Sequence, residues 1–349
     1  MAVSSTDLTA TQITLSTVTA VNETSTLDGV TLATTPSATI AQQATVSGHP
    51  VTADALWWAD KPDADSTTYL AKLDSGQKSA TVASYYFLAQ GDTPTAMAEA
   101  TGFIPFTQTQ KDGALLAMQL WQEVCGITFV PATSAADATL LFGASSSTVG
   151  GGTYASSSFN QTTNIYSKSY IWLSSGWASN SQMGNGEYGL TTLIHEIGHA
   201  LGLDHPGNYD GQSDWAGRLY GNDDWMHTVM SYFASPPYDA AGLYPATPML
   251  MDILAVQNKY GSNAATRTGN ESYSWSAPFI QAIWDGGGTD TIDGSNQTLS
   301  SRIDLNPGAF SSLGSKPDGS PAANNLVIAF NTSIENATGG SGNDRLTGT

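Results

Sequence analysis

Residues 195–206 read His-Glu-Ile-Gly-His-Ala-Leu-Gly-Leu-Asp-His-Pro and hold three of the chain's five histidines. On a helix, His195 and His199 stand about 40° apart in rotation and roughly 6 Å apart along the axis, so both rings face one way. A helix running on past Gly202 would carry His205 well round from that face. Glycine accepts positive φ and commonly ends helices, and a sharp turn at Gly202 brings His205 back to the other two. Three imidazole nitrogens with one open position are the donor set of a catalytic zinc site, not of a closed structural one. Glu196 lies beside the first ligand and can reach a water at the metal without being a ligand itself. The alternative is a buried helix whose histidines are satisfied in the core. The complete H-E-x-x-H-x-x-G-x-x-H pattern is too demanding to favour it.

This pattern resembles the zinc motif of the metzincin metalloproteases. Its wording is nearest to the serralysin branch, the secreted calcium-binding bacterial proteases. The family also has a methionine turn downstream, and Thr228-Val229-Met230-Ser231-Tyr232-Phe233 is similar to it. The resemblance implies that Met230 forms an apolar floor under the zinc ligands. It also implies that Tyr232 binds zinc and swings away to stabilise the transition state. The fold it implies is α+β. A metzincin catalytic domain, with a twisted mixed sheet behind the active-site helix, is followed by a calcium-binding parallel β-roll.

Composition narrows the partners. The chain has 349 residues, with 11 basic against 30 acidic side chains and a net charge of −19. That balance argues against nucleic acid and against an anionic membrane surface. No apolar run is long enough to span a bilayer. Cys125 is the single cysteine, which excludes an internal disulfide, and it falls on an apolar helical stretch as a core residue. The first lysine or arginine is Lys61, so the N-terminus lacks the basic region of a Sec signal peptide. The resemblance implies an extracellular protein exported by a type I route that reads a C-terminal signal.

Residues 1–54 are rich in Thr, Ser and Ala and read as a leader or propeptide. Having no cysteine, this segment cannot silence zinc through a thiolate. A catalytic domain is expected over 55–262. Within it, Ala80–Leu88 reads as a strand, Thr107–Cys125 as a helix, and Ile127–Val130 and Ala138–Phe142 as further strands. Gly150–Gly152 and the serine-rich stretch after them read as a surface loop. By position, Tyr170, Ile171 and Trp172 fall where the family keeps the sheet's edge strand above the cleft. An unpaired edge there would take an extended peptide as one more strand. Pro248–Tyr260 reads as a helix closed by Gly261.

From residue 263 onward glycine and aspartate recur at fixed offsets. Gly339-Gly340-Ser341-Gly342-Asn343-Asp344-Arg345-Leu346 matches the nonapeptide calcium repeat of a parallel β-roll. Calcium wants six to eight oxygens, which aspartates and the carbonyls at tight glycine turns provide. By resemblance, Asp285, Gly287, Gly288 and Asp290 share one calcium with Arg267, Gly269 and Glu271. Ser333, Glu335, Gly340, Gly342 and Asp344 serve another. The repeat stops at Thr349, so the chain reads as the start of a roll, truncated relative to the family.

The function expected is that of a secreted zinc endopeptidase, stabilised by calcium, with Glu196 as general base. Its partners are protein or peptide substrates and a propeptide or protein inhibitor, and the chain is expected to be a monomer. A zymogen whose leader fills the cleft is one variant of this reading. The rival class is a calcium-dependent cell-surface or adhesion module with a vestigial zinc site.

Overall fold

Asp65 accepts the Thr68 N–H at 2.8 Å and starts helix α1 (Ser66–Leu73). The computed structural model describes residues 61, 63–92, 97–146, 153–211, 215–235, 238 and 242–348. The leader expected over 1–54 lies outside these residues. After α1 come strand β1 (Val82–Phe87) and the short strand β2 (Phe103–Ile104). Helix α2 (Gln108–Val124) opens with a capping box, in which Thr107 Oγ1 accepts the Gln110 N–H and Gln110 Oε1 accepts the Thr107 N–H. Strands β3 (Thr128–Pro131), β4 (Leu140–Ser145), β5 (Tyr154–Asn160) and β6 (Ile165–Ser174) follow. The order across the sheet is β3-β1-β4-β6-β5, with β2 pairing β4 off this path. β1, β3, β4 and β6 run parallel, and β5 returns antiparallel to β6.

Two expectations about this sheet are corrected. The strand containing Tyr170, Ile171 and Trp172 is not the edge: β6 lies between β4 and β5, and Ile171 and Trp172 are fully buried. The edge is β5, drawn from the serine-rich stretch read as a loop. Its pairs Ala155↔Ile171, Ser156↔Tyr170 and Ser157↔Ser169 are regular antiparallel ladder. Most of its side chains face solvent, so it needs no apolar alternation, and that is the signal a sequence reading looks for.

Helix α3 (Tyr188–Ala200) packs against α2, and the Trp121 indole N–H donates to the Ile194 carbonyl at 3.1 Å. Leu190, Leu193, Ile194 and Ile197 are fully buried, each contributing about 2 kcal/mol by leaving water. Gly198 lets the Met230 sulfur lie where a side chain would stand, 2.7 Å from a Cβ at that position. Helix α4 (Leu250–Tyr260) ends at Gly261, whose φ is +77°. Cys125 is buried at the end of α2. Among the described residues no helix is long and apolar enough to cross a membrane.

The rest of the chain is built from short strands. β7 (Ser272–Tyr273), β9 (Thr291–Asp293) and β13 (Asn336–Thr338) form one parallel sheet. β8 (Gln281–Ile283) pairs parallel with β12 (Leu326–Ile328), and β11 (Phe310–Ser311) lies antiparallel to β12. β10 (Arg302–Asp304) pairs parallel with β14 (Arg345–Thr347). Tyr273, Ile283, Ile292, Ile303, Leu326 and Ile328 fill a core of their own. Ile280, Trp284, Val327, Ala329 and Phe330 belong instead to the core that holds α2 and α3. The Arg267–Glu123 ion pair and the Ala246 N–H to Ile280 carbonyl bond cross between the two regions.

Candidate metal centre

The turn at Gly202 forms as its sequence requires. Gly202 has φ +88°, its N–H donates to the His199 carbonyl at 2.9 Å, and the Leu203 N–H donates to Gly198 at 3.0 Å. A side chain at 202 would also collide with the Gln77 carbonyl oxygen, 2.0 Å from the Cβ position. The region after α1 therefore presses on this turn. Asp204 N–H donates to the Leu73 carbonyl, Ser75 Oγ to the Gly202 carbonyl and Lys72 Nζ to Asn208 Oδ1. None of these long-range contacts has a signature in the local sequence.

The turn brings the three histidines together. His199 Nε2 lies 3.1 Å from His205 Nε2, and His205 Nε2 lies 3.4 Å from His195 Nε2. Each opposite ring nitrogen faces a backbone carbonyl. His195 Nδ1 faces Val229 at 2.7 Å, His199 Nδ1 faces Leu203 at 2.8 Å and His205 Nδ1 faces Tyr209 at 3.0 Å. A carbonyl only accepts, so each Nδ1 carries the proton and each Nε2 presents a lone pair to the centre. Burial, with His199 next, lowers the basicity of His195 to about 3. Burial, then His199 and His195, lowers His205 to about 2, and burial also lowers His199. All three rings are thus neutral. Three converging lone pairs repel one another unless a cation lies among them. Tetrahedral zinc with its usual Zn–N distance separates its nitrogen ligands by roughly 3.3 Å, so the residues fit this ion.

Glu196 is buried beside the rings, and its Oε2 has no hydrogen-bond partner among the described residues. Burial raises its carboxyl to about 8, the Ala155 backbone amide opposes this, and the charge of Asp210 adds to the rise. A cation at the imidazoles would pull it down again. The Tyr232 ring lies tilted 4.6 Å from His205 and 5.8 Å from His195, centroid to centroid. Its hydroxyl accepts the Gly211 N–H at 3.3 Å. Met230 is fully buried beneath α3 at Gly198, consistent with a floor.

Three supporting residues escaped the sequence reading. Asp252, fully buried at the start of α4, accepts from Thr228 Oγ1, the Val229 N–H at 2.7 Å and the Met249 N–H at 2.8 Å. It ties the methionine turn to that helix. Asp223 accepts Tyr209 Oη–H at 2.8 Å and Ser231 Oγ–H at 2.7 Å on the same oxygen. Asn222 accepts the Ala64 N–H and donates to the Ala64 carbonyl, both at 3.1 Å.

The second acidic region is met in part. Glu271, Asp285 and Asp290 bring carboxylate oxygens within 4.8 Å of one another. Glu271 Oε2 and Asp290 Oδ2 are buried without hydrogen-bond partners among the described residues, which fits a cation such as calcium. Gly288, at φ +152°, packs onto the Gly269 carbonyl, and Arg267 takes a rare positive φ of +50°. Arg267's guanidinium turns away to Glu123 and the Trp284 carbonyl. The carboxylates of the other expected group each hold a backbone amide. Glu335 Oε2 accepts the Asp290 N–H at 2.8 Å and so adjoins the first group. Gly340, Gly342 and Asp344 lie against residues 294–301, where Asp344 Oδ1 accepts the Ser301 N–H at 2.7 Å. A calcium shared by Ser333, Glu335, Gly340, Gly342 and Asp344 is what the resemblance implies, and the carboxylates at 335 and 344 each accept a backbone amide of another turn.

Comparison with known proteins agrees with this arrangement. The Matrixin family model matches residues 103–211 and the Peptidase M10 serralysin C terminal model matches 251–349. Metalloprotease AprA of Pseudomonas entomophila (strain L48) is 36% identical over 288 residues, 76% of this chain and 58% of that protein. Serralysin C of Dickeya chrysanthemi is 35% identical over 270 residues, 70% of this chain and 54% of that protein. Among solved structures, High choriolytic enzyme 1, a hatching enzyme zinc-protease of Oryzias latipes, matches at a TM-score of 0.29 and 14% identity. It covers 53% of this chain and 93% of its own, a likeness too slight to bear on the fold. Fold and donor set are those of the metzincin class. The chain belongs to the serralysin family of that class, whose members use zinc and whose C-terminal region binds calcium. It spans a little over half the length of the curated relatives it matches.

Proposed function

We propose that this protein is a secreted, calcium-stabilised zinc endopeptidase. The observation that carries the reading is the convergence of three Nε2 lone pairs, each opposite nitrogen tied to a carbonyl, beside the partnerless carboxylate oxygen of Glu196. His195, His199 and His205 would hold the zinc. Bound there, zinc supplies Lewis-acid polarisation of the peptide carbonyl and acidifies the attacking water. Glu196 takes that water's proton as attack proceeds and passes it to the leaving nitrogen. Tyr232, leaving the Gly211 amide, turns its hydroxyl toward the oxyanion. Met230 supports the ligands from below.

The substrate strand adds to the outer edge of β5 rather than to Tyr170, Ile171 and Trp172. The Ala155 amide faces Glu196, so this edge opens onto the site. Calcium at Glu271, Asp285 and Asp290, with backbone oxygens of Arg267, Gly269, Gly287 and Gly288, steadies the C-terminal region and takes no part in bond cleavage. The domain reading is a leader over 1–54, a catalytic domain over 55–262 and the start of a β-roll over 263–349. A leader that blocks the cleft until removed, export by a type I route and a monomeric state complete the proposal. The adhesion alternative loses its support, because a vestigial site has no need of three oriented, neutral imidazoles.

The test is Glu196→Ala with zinc content measured. Zinc retained at one per chain with casein hydrolysis lowered by about 10²–10⁴-fold supports these roles. Full proteolysis by the variant overturns them.

A further inference from the structure

Asn222, Asp223 and Asp224 are consecutive, polar and buried. Each holds a different stretch of chain around the zinc ligands. Asn222 grips Ala64, and Asp224 Oδ1 accepts the Met226 N–H at 2.9 Å and faces His227 Nδ1 at 2.8 Å. Asp223, between them, is linked to His205 through Tyr209. Its Oδ1 accepts the hydroxyls of Tyr209 and Ser231, 22 residues apart in the chain. The Tyr209 carbonyl in turn takes the Nδ1 proton of His205 at 3.0 Å, and the Tyr209 ring stacks on His205, 5.4 Å between centroids. That ring also lies 4.9 Å from Tyr232. Ser231 separates Met230 from Tyr232 and, through the same hydroxyl, accepts the Phe233 N–H at 3.1 Å. Burial raises the Asp223 carboxyl to about 6, and the Ser231 and Tyr209 hydroxyls and the charge of Arg218 oppose that rise.

Of the three ligands, His205 is the one that does not stand on α3. His195 and His199 are fixed by a packed helix. His205 sits in a turn, and its orientation depends on what holds Tyr209. We propose that Asp223 is the positioning residue for the third zinc ligand: by clamping Tyr209 and Ser231 on one oxygen, it sets where His205 and Tyr232 stand relative to each other. The proposal rests on the zinc reading above and deepens it. Outer partners of metal ligands commonly contribute 10–100-fold to metal affinity.

The experiment follows zinc loss from the full chain to excess chromogenic chelator, together with the visible spectrum of the cobalt-substituted chain. The variants are Asp223→Ala, Tyr209→Phe and the two combined. Zinc release about 10–100-fold faster in each single variant, with the double no faster than Asp223→Ala, supports action through Tyr209. A shifted cobalt spectrum supports a moved ligand. Release at the parent rate in Asp223→Ala, or effects that multiply in the double variant, overturns the proposal. Should Asp223→Ala not fold, Tyr209→Phe decides, because it removes one oxygen and keeps ring and carbonyl. Parent-like release and spectrum in that variant overturn the proposal. A parent chain that takes up no zinc overturns the metal-site reading and this proposal together. A zinc-binding parent with unaffected variants overturns this one alone.

Discussion

Gly202 lies against the carbonyl of Gln77 so closely that a methyl group on it would stand 2.0 Å from the oxygen. Two demands meet at one residue: a left-handed backbone that turns His205 toward its partners, and room for the chain following α1. Gly202→Ala is expected to cost about 1–2 kcal/mol for the left-handed backbone alone. The collision with Gln77 adds to this. Urea unfolding should show the loss of stability, and zinc analysis should show a substoichiometric site.

Asp252 meets only donors: one hydroxyl and two amides. Asp252→Asn would turn an NH2 group toward Thr228 Oγ1, force that hydroxyl to give up its own donation to residue 252, and weaken the acceptor for the two amides. A destabilisation of about 1–3 kcal/mol is expected. Because those donors belong to the methionine turn and the start of α4, activity should fall along with stability. Chemical denaturation beside a casein assay measures both.

Asp285 and Asp290 give the acidic cluster a pH dependence. Burial raises Asp285 to about 6, against the Tyr273 hydroxyl and the Gly287 amide, and burial raises Asp290 in the same direction. A folded-state value above the unfolded one means that protonation favours folding. Without calcium, this contribution is present in acid and is lost as pH rises through about 6. Calcium needs both groups charged, so protons compete with it below that point. Calcium titrations at pH 7.5 and 5.5 should give weaker binding at 5.5. The rise in melting temperature on adding calcium should be larger at 7.5.

On β5, the Ala155 amide points out of the sheet toward Glu196. Antiparallel alternation then turns the amide of Ser157 outward as well, clear of the ladder to β6. Ser157→Pro removes that donor at an edge where proline fits. KM for a long peptide is expected to rise about tenfold, the worth of one hydrogen bond near 1.4 kcal/mol, with kcat little changed. Steady-state kinetics on an oligopeptide checks this, and an unchanged KM would remove β5 as the docking edge.

How much of this was legible beforehand follows from the range of each interaction. His195, Glu196, His199, Gly202 and His205 lie within eleven positions, and their roles come from helix periodicity and one glycine turn. The stripe Ala114, Met118, Trp121 and Cys125 is equally local, and the helix it suggested is α2. β5 was missed because Ser156, Ser157 and Ser158 carry no apolar pattern; only its neighbour β6 makes that segment a strand. Tyr170 to Trp172 were placed at the edge by their position in the family pattern, and their apolar run does not say how many of its sides are paired. Glu335 and Asp344 were grouped by the resemblance alone, because the backbone amide that each accepts lies some 40 residues away and leaves no local signal. Asp223 and Asp252 resemble any acidic residue until the segments they join are seen together.

Trp284 and Phe330 are buried in the same core as Trp121 and Ile194. The C-terminal region therefore shares its packing with the helix that carries His195 and His199 and is not an appendage hung from it. A cation held by Glu271, Asp285 and Asp290 would brace that shared core, so the proposed secreted protease would gain rigidity where calcium is plentiful and lack it where calcium is scarce.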